Sequence, residues 1–155
     1  MNDWVDYYLR MAMLVATKSK DPSTKHGAVI VSPDNSVIAT GYNGLPKGIA
    51  DTPERLNNRE LKYRMVIHAE KNAIYTAARN LTGHTMFVTG APCGPCAAAI
   101  CQVGIVKVIC IKPDAHYLAR WEIDREIAME MFDEKGIIYI EHDTPGTFTV
   151  RGENG

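Results

Sequence analysis

Apolar positions fall into two rhythms along the chain. Trp4, Tyr8, Met11, Leu14 and Val15 recur at helical spacing, which predicts an amphipathic helix from Asp3 to about Lys18. Gly27-Ala-Val-Ile-Val-Ser32 and Val37-Ile-Ala-Thr-Gly-Tyr42 are β-branched runs. Pro33-Asp-Asn-Ser36 between them is turn chemistry, so the two runs predict a β-hairpin. Asn43 to about Glu60 is polar and punctuated by Gly44, Pro46, Gly48 and Pro53. It reads as a loop, longer than is usual inside a compact domain, and loops of that length are often functional. A helix is expected from about Ala69 to Arg79, a strand over Thr85–Thr89, and a short helix opening near Pro95. A strand over Ile105–Ile111 follows, then a helix over Arg120–Lys135 stopped by Gly136, and a last strand over Ile137–Glu141. The tail from Asp143, rich in Thr, Gly and Pro, is expected to be loosely ordered. The order α-β-β-α-β-α-β-α-β, with later strands alternating with helices, predicts an α/β layered sheet.

Composition narrows the picture. The 155 residues suit one domain with no linker, long enough to bury a core without disulfide staples. The net charge of -1 provides no basic field for duplex DNA or RNA, yet a small anion needs only a few placed cations. The stretch from Met1 to Arg10 is acidic and aromatic, not the start of a signal peptide, and no apolar run nears the ~20 residues that cross a bilayer. A cytoplasmic location is expected, with no membrane partner. The four cysteines crowd between Cys93 and Cys110, where a disulfide framework would spread them, so Cys93 and Cys96 read as metal ligands.

Two fragments carry the chemistry: His68-Ala69-Glu70 and Pro92-Cys93-Gly94-Pro95-Cys96. Pro95 suits the first turn of a helix, where its missing N–H costs nothing. Both sulfurs would then stand at a helix N-terminus, whose free N–H groups and dipole favour thiolate. His68 and Glu70, two apart, do not share a face in mid-helix. At a helix start both can reach a site beyond its end, because side chains lean that way and the preceding residues are not helical. Two helix N-termini are thus expected to converge on one metal. His68, Cys93 and Cys96 make three ligands, leaving the fourth tetrahedral position to water, as in catalytic zinc sites. Glu70 is then placed as general acid and base.

The order H-x-E…P-C-x-x-C is the known signature of zinc deaminases, and other fragments sharpen the likeness. Asp21-Pro-Ser-Thr24, Gly27-Ala-Val-Ile-Val31, Gly41-Tyr-Asn-Gly44 with Pro46 and Gly48, Asn72-Ala-Ile74, and Cys93-Gly-Pro-Cys96-Ala97 running on to Gln102-Val-Gly-Ile105 resemble the deoxycytidylate (dCMP) deaminase family of the cytidine deaminase superfamily. The likeness runs from about residue 19 to about 110 and more weakly to about 140. It implies a three-layer α/β/α sandwich around a mixed five-stranded sheet. It also implies zinc-dependent hydrolysis of dCMP to dUMP and ammonia, feeding thymidylate synthesis. By the same resemblance Asn43 contacts the sugar, the backbone at Ala69 holds the base carbonyl, and Thr24 lies in the substrate site. Tyr42, Asn43, Gly44 and Lys47 are expected to bind dCTP with Mg²⁺ as an activator at a subunit interface of a homo-oligomer, a hexamer. His26, Lys71 and Gly94-Pro95 depart from the residues common in that family without removing a zinc ligand.

Other assignments rest on residue type. Lys25, Lys47, Arg64 and Arg120 are candidates for the phosphate. Tyr117 and Trp121 are placed to cover a base, Trp121 being equally a core residue. Cys101 and Cys110 read as buried small side chains, and the spacing of His84, His116, Cys101 and Cys110 matches no metal pattern. The alternatives are a deaminase acting on dCTP, cytidine, guanine or a pterin or flavin precursor, and a structural zinc module with four protein ligands and no catalysis. The near-neutral charge argues against a transfer-RNA substrate.

Overall fold

The computed structural model describes residues 3–146. Its elements are α1 (Trp4–Ala16), β1 (Gly27–Val31), β2 (Val37–Tyr42), α2 (Pro53–Asn57), α3 (Arg59–Met65), α4 (Ala69–Ala77), β3 (Thr85–Val88), α5 (Gly94–Gln102), β4 (Lys107–Ile111), α6 (Ala115–Lys135) and β5 (Ile138–His142). The strands form one mixed sheet in the order β2-β1-β3-β4-β5. β1 runs antiparallel to both β2 and β3, while β3, β4 and β5 are parallel.

Alternation along the inner strands builds three layers. Ala28, Ile30, Met86, Val88, Val108 and Cys110 face α4, α5 and α6. Val29, Val31, Phe87 and Ile109 face Tyr8, Leu9 and Ala12 of α1. The α/β/α sandwich expected from the resemblance is the one observed. The first helix buries Tyr8, Leu9, Ala12 and Ala16, whereas Trp4 and Leu14, counted in the sequence stripe, are 56% and 70% exposed. Small alanines let the helix lie close on β1, and that rotates the bulky pair outwards.

Two departures have local causes. The stretch read as one long loop holds α2 and α3. Thr52 caps α2 by accepting from the Arg55 N–H, with Pro53 at the start, and Asn58 caps α3 by accepting from the Leu61 N–H. Pro53, loop punctuation in the sequence pattern, here opens a helix behind its Thr52 cap. Likewise α6 begins at Ala115 rather than Arg120, because Asp114 accepts from the Tyr117 N–H at 2.8 Å. The tail expected from Asp143 falls largely outside the described residues.

The position of α4 is set by Gly41. A Cβ there would lie 2.3 Å from Ala73 N and 2.5 Å from Ala69 O, so only glycine lets β2 and α4 touch backbone to backbone. The end of β2 is then tied to the start of α4. Asn72 Nδ2 donates to Tyr42 O at 2.7 Å, and Gly44 and Ile67 exchange backbone hydrogen bonds of 3.1 and 2.8 Å. Gly41→Ala must push the helix off the strand. We expect it to lower the stability by about 1–3 kcal/mol or more, read as a reduced urea midpoint; an unchanged midpoint would show that the contact is not tight.

Candidate active site

His68 is the N-cap of α4, with extended backbone (φ -69°, ψ 157°) and no capping bond from its side chain. Cys93 is the N-cap of α5, also extended (φ -76°, ψ 172°) and without a side-chain cap bond, and Cys96 lies in that helix's first turn. The imidazole and thiols that would ordinarily serve the helix ends are turned towards each other. His68 Nδ1 lies 3.4 Å from Cys93 Sγ and 3.4 Å from Cys96 Sγ. At ordinary bond lengths and tetrahedral angles, zinc would separate nitrogen from sulfur by roughly 3.5 Å. The donor set therefore fits zinc in number, chemistry and spacing. Among the described residues no fourth histidine, cysteine or carboxylate joins the cluster, as a closed structural site would require.

Protonation at the cluster is shared. The hydrogen bond from Cys96, with help from His68, drives Cys93 down to about 4 against the cost of burial. Cys96, bonded to Cys93 and buried, is pushed up. His68 is raised, chiefly by its bond to Cys93.

Glu70 sits in the first turn of α4 and is only 5% exposed. Burial pushes its carboxyl up to about 7, against the pull of its own backbone N–H and of His68. A carboxyl near neutrality takes and gives protons with equal ease. His68, Ala69, Glu70 and Cys93 line a cavity of about 360 Å³, within the size range of small-molecule sites.

Of the other sequence-predicted residues, Thr24, Asn43, Tyr117, Arg120 and Trp121 line this cavity. Asn43 is buried and clamps the chain ahead of β1: its Oδ1 accepts the His26 N–H at 2.7 Å and its Nδ2 donates to Thr24 O at 2.9 Å. Tyr117 donates its hydroxyl to Ala91 O at 2.8 Å, and burial raises its pKa, with Glu70 adding to the effect. The Arg120 guanidinium lies 5.8 Å from the Trp121 ring centroid. Three of the proposed phosphate cations are elsewhere. The Lys25 ammonium donates to Ser19 O, Arg64 pairs with Glu60 on the exposed face, and Lys47 lines a second cavity. Cys110 is buried against the Tyr139 hydroxyl at 3.3 Å and Cys101 is half-buried. Neither joins His84 or His116 in a metal-binding group among the described residues.

Sequence reasoning missed Arg59 and Lys62, which also line the main cavity. Lys62 is 7% exposed, with Nζ 3.2 Å from Asp21 Oδ1. Burial raises the Asp21 carboxyl, but the N–H groups of Ser23 and Thr24 and the Lys62 ammonium outweigh it and hold the group below its usual range. The Asx turn at Asp21-Pro-Ser-Thr was legible; that a lysine of a short polar helix would close on it was not. Asp21, Asn43, Lys62 and Val66 also border the second cavity, of about 170 Å³, whose other walls include Lys18, Lys20, Tyr42, Gly44 and Lys47.

Comparison with known proteins agrees with this geometry. The model of the family described as "Cytidine and deoxycytidylate deaminase zinc-binding region" matches residues 2–112. The chain belongs to that family. It is 41% identical over 137 residues to an uncharacterised deaminase of Aliivibrio fischeri, covering 88% of this chain and 92% of that one. It is 40% identical to the mouse deoxycytidylate deaminase, covering 74% of this chain and 67% of the relative. The dCMP deaminase of cyanophage S-TIM5, solved with dCMP and dUMP, shares the fold with a TM-score of 0.70 at 24% identity, covering 88% and 95% of the two chains.

The raised Glu70 carboxyl has a thermodynamic consequence in the metal-free protein. A carboxyl held near 7 when folded and near 4.5 when unfolded costs nothing below pH 4.5. Its penalty grows as pH rises to 7 and is constant above. Cys93, depressed in the fold, works in the opposite direction, so the difference between Glu70→Gln and the parent isolates Glu70. We expect the variant to gain on the order of 3 kcal/mol relative to the parent between pH 4 and pH 8. Urea unfolding across that range is the measurement; a pH-independent difference would mean that Glu70 ionises freely.

Proposed function

We propose that this chain hydrolyses dCMP to dUMP and ammonia, with one zinc ion held by His68, Cys93 and Cys96, and that it so feeds thymidylate synthesis. The observation that carries this reading is the buried Glu70 carboxyl beside a three-donor cluster with no fourth protein ligand among the described residues. Zinc, when bound, supplies a Lewis acid that brings the pKa of water from about 15.7 towards neutrality.

The chain's own residues supply the rest. Glu70 takes a proton from the water that adds to C4 and delivers it to N3, which makes C4 the stronger electrophile. It then carries the remaining proton of the hydroxyl on C4 to the amine. The C4–O bond forms, the C4–N bond breaks, ammonia leaves, and C4 becomes a carbonyl. The Ala69 backbone holds the base carbonyl, Asn43 and Thr24 meet the sugar, and Tyr117 and Trp121 exclude water from the ring. The phosphate goes to the cationic side chains of the cavity. Lys62 is engaged by Asp21, so the guanidinium groups of Arg59 and Arg120 are the donors for a charge-assisted fork. The deoxycytidylate deaminases among the relatives, and the dCMP and dUMP bound to the cyanophage enzyme, support this choice of substrate.

The second cavity is our site for the activator dCTP with Mg²⁺. Lys18, Lys20 and Lys47 supply positive charge, and Tyr42, Asn43 and Gly44 line it. We place the chain, as one deaminase domain, in a cytoplasmic homo-oligomer, a hexamer. Exposed Trp4, Tyr7, Leu14, Ile123 and Ile138 offer apolar surface for subunit contact, and among the described residues no helix is long and apolar enough to cross a membrane.

The test is a substrate panel. Losing a charge-assisted hydrogen bond costs about 1.5–3 kcal/mol, roughly tenfold to a hundredfold. The reading expects kcat/KM for dCMP to exceed that for deoxycytidine by at least that factor, and Arg120→Ala to erode the advantage while sparing deoxycytidine. Equal kcat/KM for nucleotide and nucleoside would contradict it.

A further inference from the structure

We propose that His26 is a specificity-determining residue that gauges the C5 edge of the pyrimidine; the inference rests on the cytosine-nucleotide reading above. His26 immediately precedes β1 and is fixed at two points. Its backbone N–H donates to Asn43 Oδ1 at 2.7 Å. Its ring Nδ1 pairs with Thr89 Oγ1 at 3.0 Å, and that oxygen also accepts the Gly27 N–H at 3.2 Å. The imidazole is therefore part of a rigid wall.

What it fills is the space over Gly90. A Cβ at Gly90 would lie 2.6 Å from the His26 Cε1 and 3.0 Å from its Nδ1. The ring stands where a side chain at residue 90 would stand, brought there from another strand. His26, Gly90 and Ala91 line the same cavity as His68 and Glu70. Nδ1 is committed to Thr89, while Nε2 has no protein partner among the described residues.

The reaction constrains two positions of a bound pyrimidine. C4 must face the His68–Cys93–Cys96 cluster. N3 lies on one side of C4 and must face Glu70, which serves it with a proton. C5 lies on the other side of C4, and the proposal sets it against His26 over Gly90 and Ala91, which line the same cavity. A substituent on C5 meets a ring that cannot swing away without giving up its bond to Thr89. Shortening His26 opens that space.

The experiment compares dCMP with 5-methyl-dCMP, as kcat and KM, for the zinc-loaded parent, His26→Ala, His26→Val, Gly90→Ala and the double variant. A methyl group accommodated or refused is worth about tenfold or more. Both His26 variants should raise kcat/KM for 5-methyl-dCMP relative to dCMP by at least about that factor; where the alanine variant does not fold, the valine variant carries the test. Gly90→Ala should lose activity on dCMP, because its methyl displaces the ring, and adding His26→Ala should restore most of it. A merely structural histidine would change both substrates equally. A ratio within about twofold of the parent's in the folded His26 variants, with the parent active on dCMP, overturns the role of His26 alone. A parent inactive on both nucleotides overturns the reading on which it rests.

Discussion

At Gly41 the strand β2 and the helix α4 approach so closely that no side chain fits between them. The position of the first turn of α4 follows from that contact, and with it His68 and Glu70. The second half of the site comes from the sheet's other side of β1: β3 runs into Pro92 and Cys93, and α5 begins there. Because β2, β1 and β3 are consecutive in one sheet, the two helix starts are held in fixed relation by backbone hydrogen bonds. Only residues 89–92 lie between the end of β3 and Cys93. Short links from rigid elements are what a preorganised constellation needs.

The same frame explains why a carboxyl can be kept buried near neutrality. Glu70 bears the cost of desolvation, yet it is carried by a helix whose start is tied to β2 through Asn72 and through the Gly44–Ile67 bridge. The residues Gly41 to Gly44 are therefore first a brace. Asn43 shows this most directly, since its side-chain amide joins Thr24 and His26 across the mouth of β1. Asp21, Asn43, Lys62 and Val66 border both cavities, and Lys62 and Asp21 form a buried pair. Removing one partner of such a pair leaves an uncompensated charge, so a ligand in either cavity acts on shared residues.

Most of the sheet and the three donors were legible in the sequence because each follows a local rule. Apolar β-branched runs marked β1 and β2, Pro95 marked the start of α5, and the two-residue spacing of His68 and Glu70 made sense only at a helix start. The rest depended on contacts between distant residues. No local pattern marks Lys62 or Arg59: the one is set by Asp21 across the fold, the other by the place of α3 at the cavity's edge. The short helices α2 and α3 carry little apolar periodicity, so only their caps at Thr52 and Asn58 announce them. His26 stood out as a difference in type, but its slot over Gly90 arises from β1 and β3 lying side by side.

The account's central claim is that Glu70, and not the metal cluster alone, moves the protons. The most direct measurement is ammonia release in a single turnover of dCMP by Glu70→Gln with one zinc per chain confirmed by metal analysis. The substitution keeps the shape of the side chain and leaves His68, Cys93 and Cys96 untouched. General acid–base catalysis is worth typically 10²–10⁴, and the proposed mechanism gives this one residue more than one transfer. The account predicts a rate lower by at least about 10³ with zinc content unchanged; a rate within about tenfold of the parent's would contradict it.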